Sequence, residues 1–138
     1  MRVDIYITSK FHGKIASGDG VYAVLLDTEI DGKHYQKLHI AGWTGLSFQK
    51  LAVRAAVEGI RCMTAPSDVV MHVDSPYAVN VMKSGKADGK KYEALWSTYF
   101  KAAERMESVE VIFEKEHEYR AKLLERIAKG GYPVVQDR

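Results

Sequence analysis

The stretch MHVDSPYAVNVM, Met71 to Met82, reads as the end of a strand, then an acid, then the start of a helix. Met71 to Val73 is apolar. Ser75 is a natural N-cap and Pro76 a natural first helical residue. Asp74, between them, stands at a strand tip beside a helix N-terminus. A metal-dependent catalyst wants a carboxylate there, as an oxygen ligand for a hard cation. A helix start also favours negative charge there, through the helix dipole. What the rest of the chain sets beside Asp74 decides between the two.

Immediately upstream, Asp68 to Val73 is a short apolar strand, and Pro66 and Ser67 separate it from a helical stretch, Leu46 to Cys62. That helix carries a polar stripe of Lys50, Arg54, Glu58 and Arg61 on otherwise mostly apolar faces. Strand, helix and strand in this order imply a crossover that leaves the fourth strand parallel to its neighbour. Further back, Val3 to Thr8 alternates: Val3, Ile5 and Ile7 point one way, and Asp4, Tyr6 and Thr8 the other. Ser17 to Gly20 reads as a turn, Val21 to Ile30 as a second strand, Asp31 to Lys33 as a tight hairpin turn and His34 to Gly42 as a third strand. Downstream of Asp74, a short helix runs to about Lys83. Ser84 to Lys91 is a loop, Tyr92 to Met106 a helix and Ser108 to Phe113 a fifth strand. Glu118 to Lys129 is a last helix, with Leu123, Leu124, Ile127 and Ala128 facing inward, and Gly130 and Gly131 end it. The expectation is one domain, residues 1–131, with a tail at 132–138. Its fold class is α/β: a five-stranded mixed sheet, three antiparallel strands then two parallel, flanked by helices.

Composition agrees with a soluble globular domain. The chain has 138 residues, 46% hydrophobic and 28% charged, enough for a real core. No apolar run approaches the ~20 residues of a membrane span, and the first ten residues do not resemble a secretory signal. The single cysteine, Cys62, cannot form an internal disulfide, which makes a reducing, cytoplasmic setting the expectation; in the helix it reads as a small packing residue. His12, His34, His39, His72 and His117 are scattered, and no pair has zinc-site spacing, so no metal ligands are assigned from sequence. Net charge is +2, too small to advertise nucleic acid by itself. Lys83, Lys86, Lys90 and Lys91, however, cluster around a Gly-rich turn.

The order of elements, with four local matches, resembles the ribonuclease H family. IYITSK stands where that family ends its first strand in an acid, and GVYAVLL resembles the start of its second strand. AGWT, Ala41 to Thr44, resembles the end of its third strand. VDSPYAV, Val73 to Val79, resembles its Asp-Ser-x-Tyr-Val signature. The matches and the last helix cover nearly the whole chain. The resemblance implies an enzyme that cleaves the RNA strand of RNA–DNA hybrids, using four carboxylates to hold two Mg²⁺ ions. The acids are needed because two dications a few Å apart repel, and only concentrated negative charge holds them together.

Carried over position by position, the resemblance assigns those four places to Thr8, Gln49, Asp74 and Lys122. Gln49 shares an inward face with Val53, Ala56 and Ile60. One acid of four remains, and Lys122 has the opposite sign. Asp4 shares the face of Thr8 but lies roughly 13 Å away along the strand at ~3.3 Å per residue. Glu118, one helical turn before Lys122, is the substitute acid if the register shifts by a turn; His117 then resembles the family's loop histidine. Gly45 and Leu46 stand where the family commonly places polar residues that read RNA 2′-hydroxyls. Asp74 is then a structural residue flanking a helix, and an ion pair with Lys122 or a hydrogen bond from Gln49 would plug the vacated site. Trp43, Tyr77, Trp96, Tyr99 and Phe100 read as core in preference to base-stacking platforms.

Three functions follow as expectations. The leading one is a non-catalytic ribonuclease H-like domain binding RNA or DNA through Lys83, Lys86, Lys90 and Lys91 with Lys10 and Lys14, and needing no cofactor. In some bacterial members of the family a basic segment near this loop contacts the hybrid. The second is a protein-interaction module on the same fold. The third is an active Mg²⁺-dependent endoribonuclease with a shifted acid set. No membrane partner is expected, and the sequence does not set an oligomeric state.

Overall fold

A computed structural model describes all residues, 1–138. The elements are β1 (Arg2–Lys14), β2 (Ser17–Ile30), β3 (Lys33–Leu46), α1 (Phe48–Arg61), β4 (Asp68–Val73), α2 (Pro76–Ser84), α3 (Glu93–Ala103), β5 (Ser108–Phe113), α4 (Arg120–Lys129) and β6 (Val134–Gln136). They form one six-stranded sheet in the order β5-β4-β1-β2-β3-β6. The antiparallel meander β1–β2–β3 and the parallel pairings of β4 with β1 and β5 with β4 are those expected from sequence.

Two departures have clear causes. Ser17 to Gly20 is not a turn. It lies inside β2, and the chain reverses at Ile15 and Ala16 instead. The glycines serve close packing: a Cβ at Gly20 would run into the Leu51 side chain, and one at Gly18 would meet Phe11 Cζ at 2.7 Å. By contrast, Asp31 and Gly32 do form the β2–β3 turn, with φ of 51° and 78°, the left-handed pair that a two-residue hairpin requires. The second departure is the C-terminus. Residues 134–136, expected as tail, add a sixth strand parallel to β3 at Gly42 to Thr44. Behind it, the carboxylate of Asp137 pairs with Arg54 at 2.6 Å and also with Lys50, both on α1. That ion pair fastens the end of the chain to the first helix.

The helices start as their caps dictate. Ser47 Oγ accepts from the Lys50 amide at 3.0 Å, and Ser75 Oγ from the Ala78 amide at 3.2 Å with Pro76 opening α2. Helices α1, α2 and α3 cover one face of the sheet over a cluster of 22 buried residues that includes Ile5, Ile7, Val24, Met71, Trp96 and Tyr99. Helix α4 covers part of the other face over six: Tyr6, Val21, Ala23, Leu25, Leu123 and Ile127. Of the four residues expected to face inward on α4, Leu123 and Ile127 are buried and Ala128 is exposed, so the helix touches the sheet along a narrow stripe.

Candidate functional site

Parallel β1 and β4 pair from Arg2–Asp68 to Tyr6–His72. β4 stops at Val73 while β1, held by β2, runs on to Lys14, so Thr8, expected to end the first strand, lies inside it, and the candidate site forms where β4 leaves β1. Asp74, just past β4, accepts a hydrogen bond from the Ser9 backbone amide on β1 at 2.7 Å. Burial pushes its carboxyl above the ordinary range, and the Ser9 amide pulls the other way. The Ser9 hydroxyl is buried close by without a hydrogen-bond partner of normal geometry. One residue back on β1, Thr8 is buried, and its Oγ1 lies 2.8 Å from His117 Nε2. His117 Nδ1 accepts from the Tyr119 amide at 3.2 Å. The hydrogen therefore sits on Nε2, which donates to Thr8. Burial also draws the His117 imidazole below its usual pKa, so this is a neutral pair.

The same face of the sheet carries a polar ladder that sequence reading did not assemble. His72 lies between two carboxylates, with Nε2 2.8 Å from Asp4 and Nδ1 2.7 Å from Glu114. A ring nitrogen that carries hydrogen donates to the carboxylate it faces. The Tyr6 ring stacks on His72 at 4.2 Å and meets Tyr119 edge-on at 4.9 Å. Asp4 also pairs with Arg2 at 3.1 Å. Burial works against its charge, but the hydrogen bonds from Arg2 and His72 outweigh burial and hold the carboxyl below its usual range. Asp4 is thus committed to His72 and Arg2. Register alone carried a signal for this contact: Tyr6 pairs with His72 across β1 and β4, so neighbouring same-face residues meet.

The four places assigned by resemblance do not all converge. Thr8 and Asp74 adjoin. Gln49 is half-buried in the first turn of α1 and bonds to neither. Lys122 does not reach Asp74. It is exposed and lines a groove with Leu25, Gln36, Leu38 and Arg126, over β2 and β3. The reason is helical register: Leu123 and Ile127 take the sheet-facing positions, which turns Lys122 toward solvent. The Asp74–Lys122 plug is therefore corrected. His117 fills the place beside Thr8, and the charge acting on Asp74 is that of Lys115. Glu118 is exposed, and its charge acts on Tyr6. One carboxylate, a hydroxyl and a neutral imidazole do not fit a pair of Mg²⁺ ions, which need several anionic oxygens.

The lysines form two groups. Lys83, Lys86 and Lys91 are exposed and Lys90 half-buried around the α2–α3 loop. Lys91 and Lys50 stand over the Tyr92 ring at 5.2 and 5.9 Å, and the Tyr92 hydroxyl bonds Ser47 Oγ at the start of α1 at 2.5 Å. Lys10 belongs elsewhere. It borders a groove with Trp43, Ile127 and Tyr132 on the α4 side of the sheet. Lys14 is exposed at the β1–β2 tip. Trp96 and Tyr99 are core, as read from sequence. Trp43 is half-buried, with the Arg54 guanidinium over its ring at 4.0 Å.

No protein-family model matches the sequence, and no curated protein sequence matches it. Solved structures do match the fold. LC9-RNase H1, described as a type 1 RNase H with the type 2 active-site motif, superposes with a TM-score of 0.72 at 19% identity, over 93% of this chain and 69% of that one. RNase H1 from the halophilic archaeon Halobacterium salinarum gives 0.67 at 13% identity, over 94% and 100%. The prototype foamy virus protease-reverse transcriptase gives 0.69 at 13%, over 94% of this chain and 21% of that chain. The fold is ribonuclease H-like, a mixed sheet with helices on both faces. No helix is long and apolar enough to cross a membrane.

Proposed function

We propose that this chain is a ribonuclease H-fold module that binds RNA or DNA and does not cut it by the two-metal route. The observation that carries the reading is the neutral Thr8–His117 pair. It occupies the β1 position that the resemblance gives to the first acid, and its polar atoms satisfy each other without a cation. Asp74, the one acid left, is half-buried and bonded to backbone, where it stabilises the junction of β1 and β4. Phosphate contact falls to the loop of Lys83, Lys86, Lys90 and Lys91, steadied by Tyr92 against the start of α1. That helix has no acid in its first turn, so its dipole adds to the positive field there. Lys10 and Lys14 are secondary contacts at most, since they stand apart from this loop. A reducing cytoplasm, with Cys62 as a free thiol, completes the reading.

Fluorescence anisotropy with a labelled RNA–DNA hybrid, duplex RNA and single strands tests it. Affinity is expected to fall steeply with salt, on the order of tenfold or more between 50 and 200 mM for a few phosphate contacts. Lys86→Glu with Lys90→Glu should abolish binding. Salt-insensitive binding, or none, removes nucleic acid as the ligand. In parallel, incubation of labelled hybrid with Mg²⁺ or Mn²⁺ should leave it intact. Cleavage that Asp74→Asn abolishes would restore the nuclease.

One observation favours a second reading, a protein-interaction module. Strand β6 is a three-residue edge whose Val134 and Val135 are exposed, and open sheet edges accept further strands. Sedimentation equilibrium separates the two readings: self-association lost on Val135→Lys supports the edge as an interface.

A further inference from the structure

We propose that His39, Glu58 and Cys62 form a site for a zinc-class transition-metal ion, with one coordination position left open. This goes beyond the nucleic-acid reading and does not rest on it. The three residues come from two elements. His39 lies on β3, opposite Val24 of β2, and points to the α1 side of the sheet. Glu58 and Cys62 are four residues apart at the end of α1, on one side of the helix. One ligand atom from each lies within 4.8 Å of the other two.

A second observation points to a ligand there. His39 Nε2 is buried and has no hydrogen-bond partner. Buried imidazole nitrogens ordinarily have one, and an orphan calls for an explanation. A metal ion supplies it. Tetrahedral zinc, with bonds of about 2.0–2.3 Å, sets its ligand atoms about 3.4–3.6 Å apart. The three groups need to close by no more than about 1 Å, a side-chain adjustment with no hydrogen bond or ion pair to break.

The donor set chooses the metal. One imidazole nitrogen, one thiolate and one carboxylate oxygen suit zinc or its neighbours and do not suit Mg²⁺ or Ca²⁺, which prefer oxygen alone. Three protein ligands are one short of a closed structural site and match the count of sites that keep a position for water or an added ligand. Cys62 also lines a cleft of about 210 Å³ with Leu26, Tyr35, Lys37 and Met63, which brings solvent to the thiol side of the site. The site lies at the far end of α1 from Lys50, about 18 Å away for twelve residues at 1.5 Å each.

The test uses the full chain stripped by a chelator and titrated with Co²⁺. One equivalent should bind, with the visible bands of tetrahedral cobalt and a thiolate-to-cobalt charge-transfer band, and Zn²⁺ should bleach both. Cys62→Ser should delete the charge-transfer band. His39→Gln and Glu58→Gln should each weaken Co²⁺ binding at least tenfold, and these two decide the matter if the Cys62 variant does not fold. Absence of the bands, a charge-transfer band that survives Cys62→Ser, or unchanged affinity in both His39→Gln and Glu58→Gln would overturn the proposal.

Discussion

The two faces of this sheet are made differently. Under α1, α2 and α3, β1 contributes Val3, Ile5 and Ile7, and β4 contributes Val69, Met71 and Val73, all buried in one apolar cluster. On the other face the same strands contribute Asp4, Tyr6 and Thr8, and His72 and Asp74, joined in pairs to Glu114, His117 and the Ser9 amide. Period-two alternation sends successive side chains to opposite faces, so two strands write both surfaces at once. The contrast teaches that burial on the helical side holds the fold, while the side that α4 covers only in part is free to carry polar chemistry.

The largest expected effect measures that asymmetry directly. Trp96 is fully buried, with its ring against Tyr99 and Phe100 and its Nε1 donating to the Tyr77 hydroxyl at 3.2 Å. Trp96→Ala should cost about 3–5 kcal/mol in urea denaturation. Leu123→Ala, in the six-residue cluster under α4, should cost about 2 kcal/mol, at the low end for a buried leucine because the stripe is narrow. Equal losses would mean that α4 contributes as much as the larger face, and the comparison would fail.

A smaller effect probes the ladder. His72→Gln leaves Asp4 and Glu114 without the imidazole between them. The expected cost at neutral pH is about 1–3 kcal/mol, the scale of charge-assisted hydrogen bonds. The sign with pH follows from Asp4, whose carboxyl is held below its usual value in the folded protein. Its contribution is present above the unfolded carboxyl value of about 3.9 and is lost as pH falls through the folded value. The part of the gap that Asp4 carries should therefore shrink as pH falls below about 3.9. A gap that stays constant down to about pH 3 would mean that His72 acts through packing on Tyr6 and not through charge.

How much of this was legible in the sequence follows from the same contrast. Alternation and cap chemistry are local, so the first half of β1, Val3 to Thr8, the Ser75–Pro76 start of α2 and the parallel β4 could be read directly; the run of β1 on to Lys14 could not. Glycine was ambiguous. In Gly18 and Gly20 it answers to Phe11 and Leu51, one of them far along the chain, and propensity alone turned it into a turn. The three residues of β6 carry too little pattern to announce a strand, and Asp137 shows its use only once α1 brings Lys50 and Arg54 to it. Thr8 and Asp74 fell together because β4 ends beside the middle of its parallel neighbour β1. Lys122 did not join them, since assigning it depended on the rotation of a helix whose apolar stripe is two residues wide. His72 with Glu114, and His39 with Glu58 and Cys62, are separated by tens of residues and no spacing rule finds them.

The subtlest expected effect decides what Asp74 is for. A ligand-holding acid and a structural acid make opposite predictions for Asp74→Asn. The folded protein penalises the ionised carboxyl, because burial raises its pKa above the unfolded value. A raised folded pKa means no penalty below the unfolded value, where both states are protonated, and a full penalty above the folded one. Asparagine keeps an oxygen able to accept from the Ser9 amide and carries no charge to desolvate. Asp74→Asn should therefore unfold at the same temperature as wild type or slightly higher at pH 7, and the advantage should vanish toward about pH 3.9. Thermal melts across that range read it out. A fall of several degrees at pH 7 would show that the charge itself is being used, by Lys115 or by a bound cation. The region where β1 meets β4 would then be a working anionic site and no longer the neutral counterpart of the apolar face.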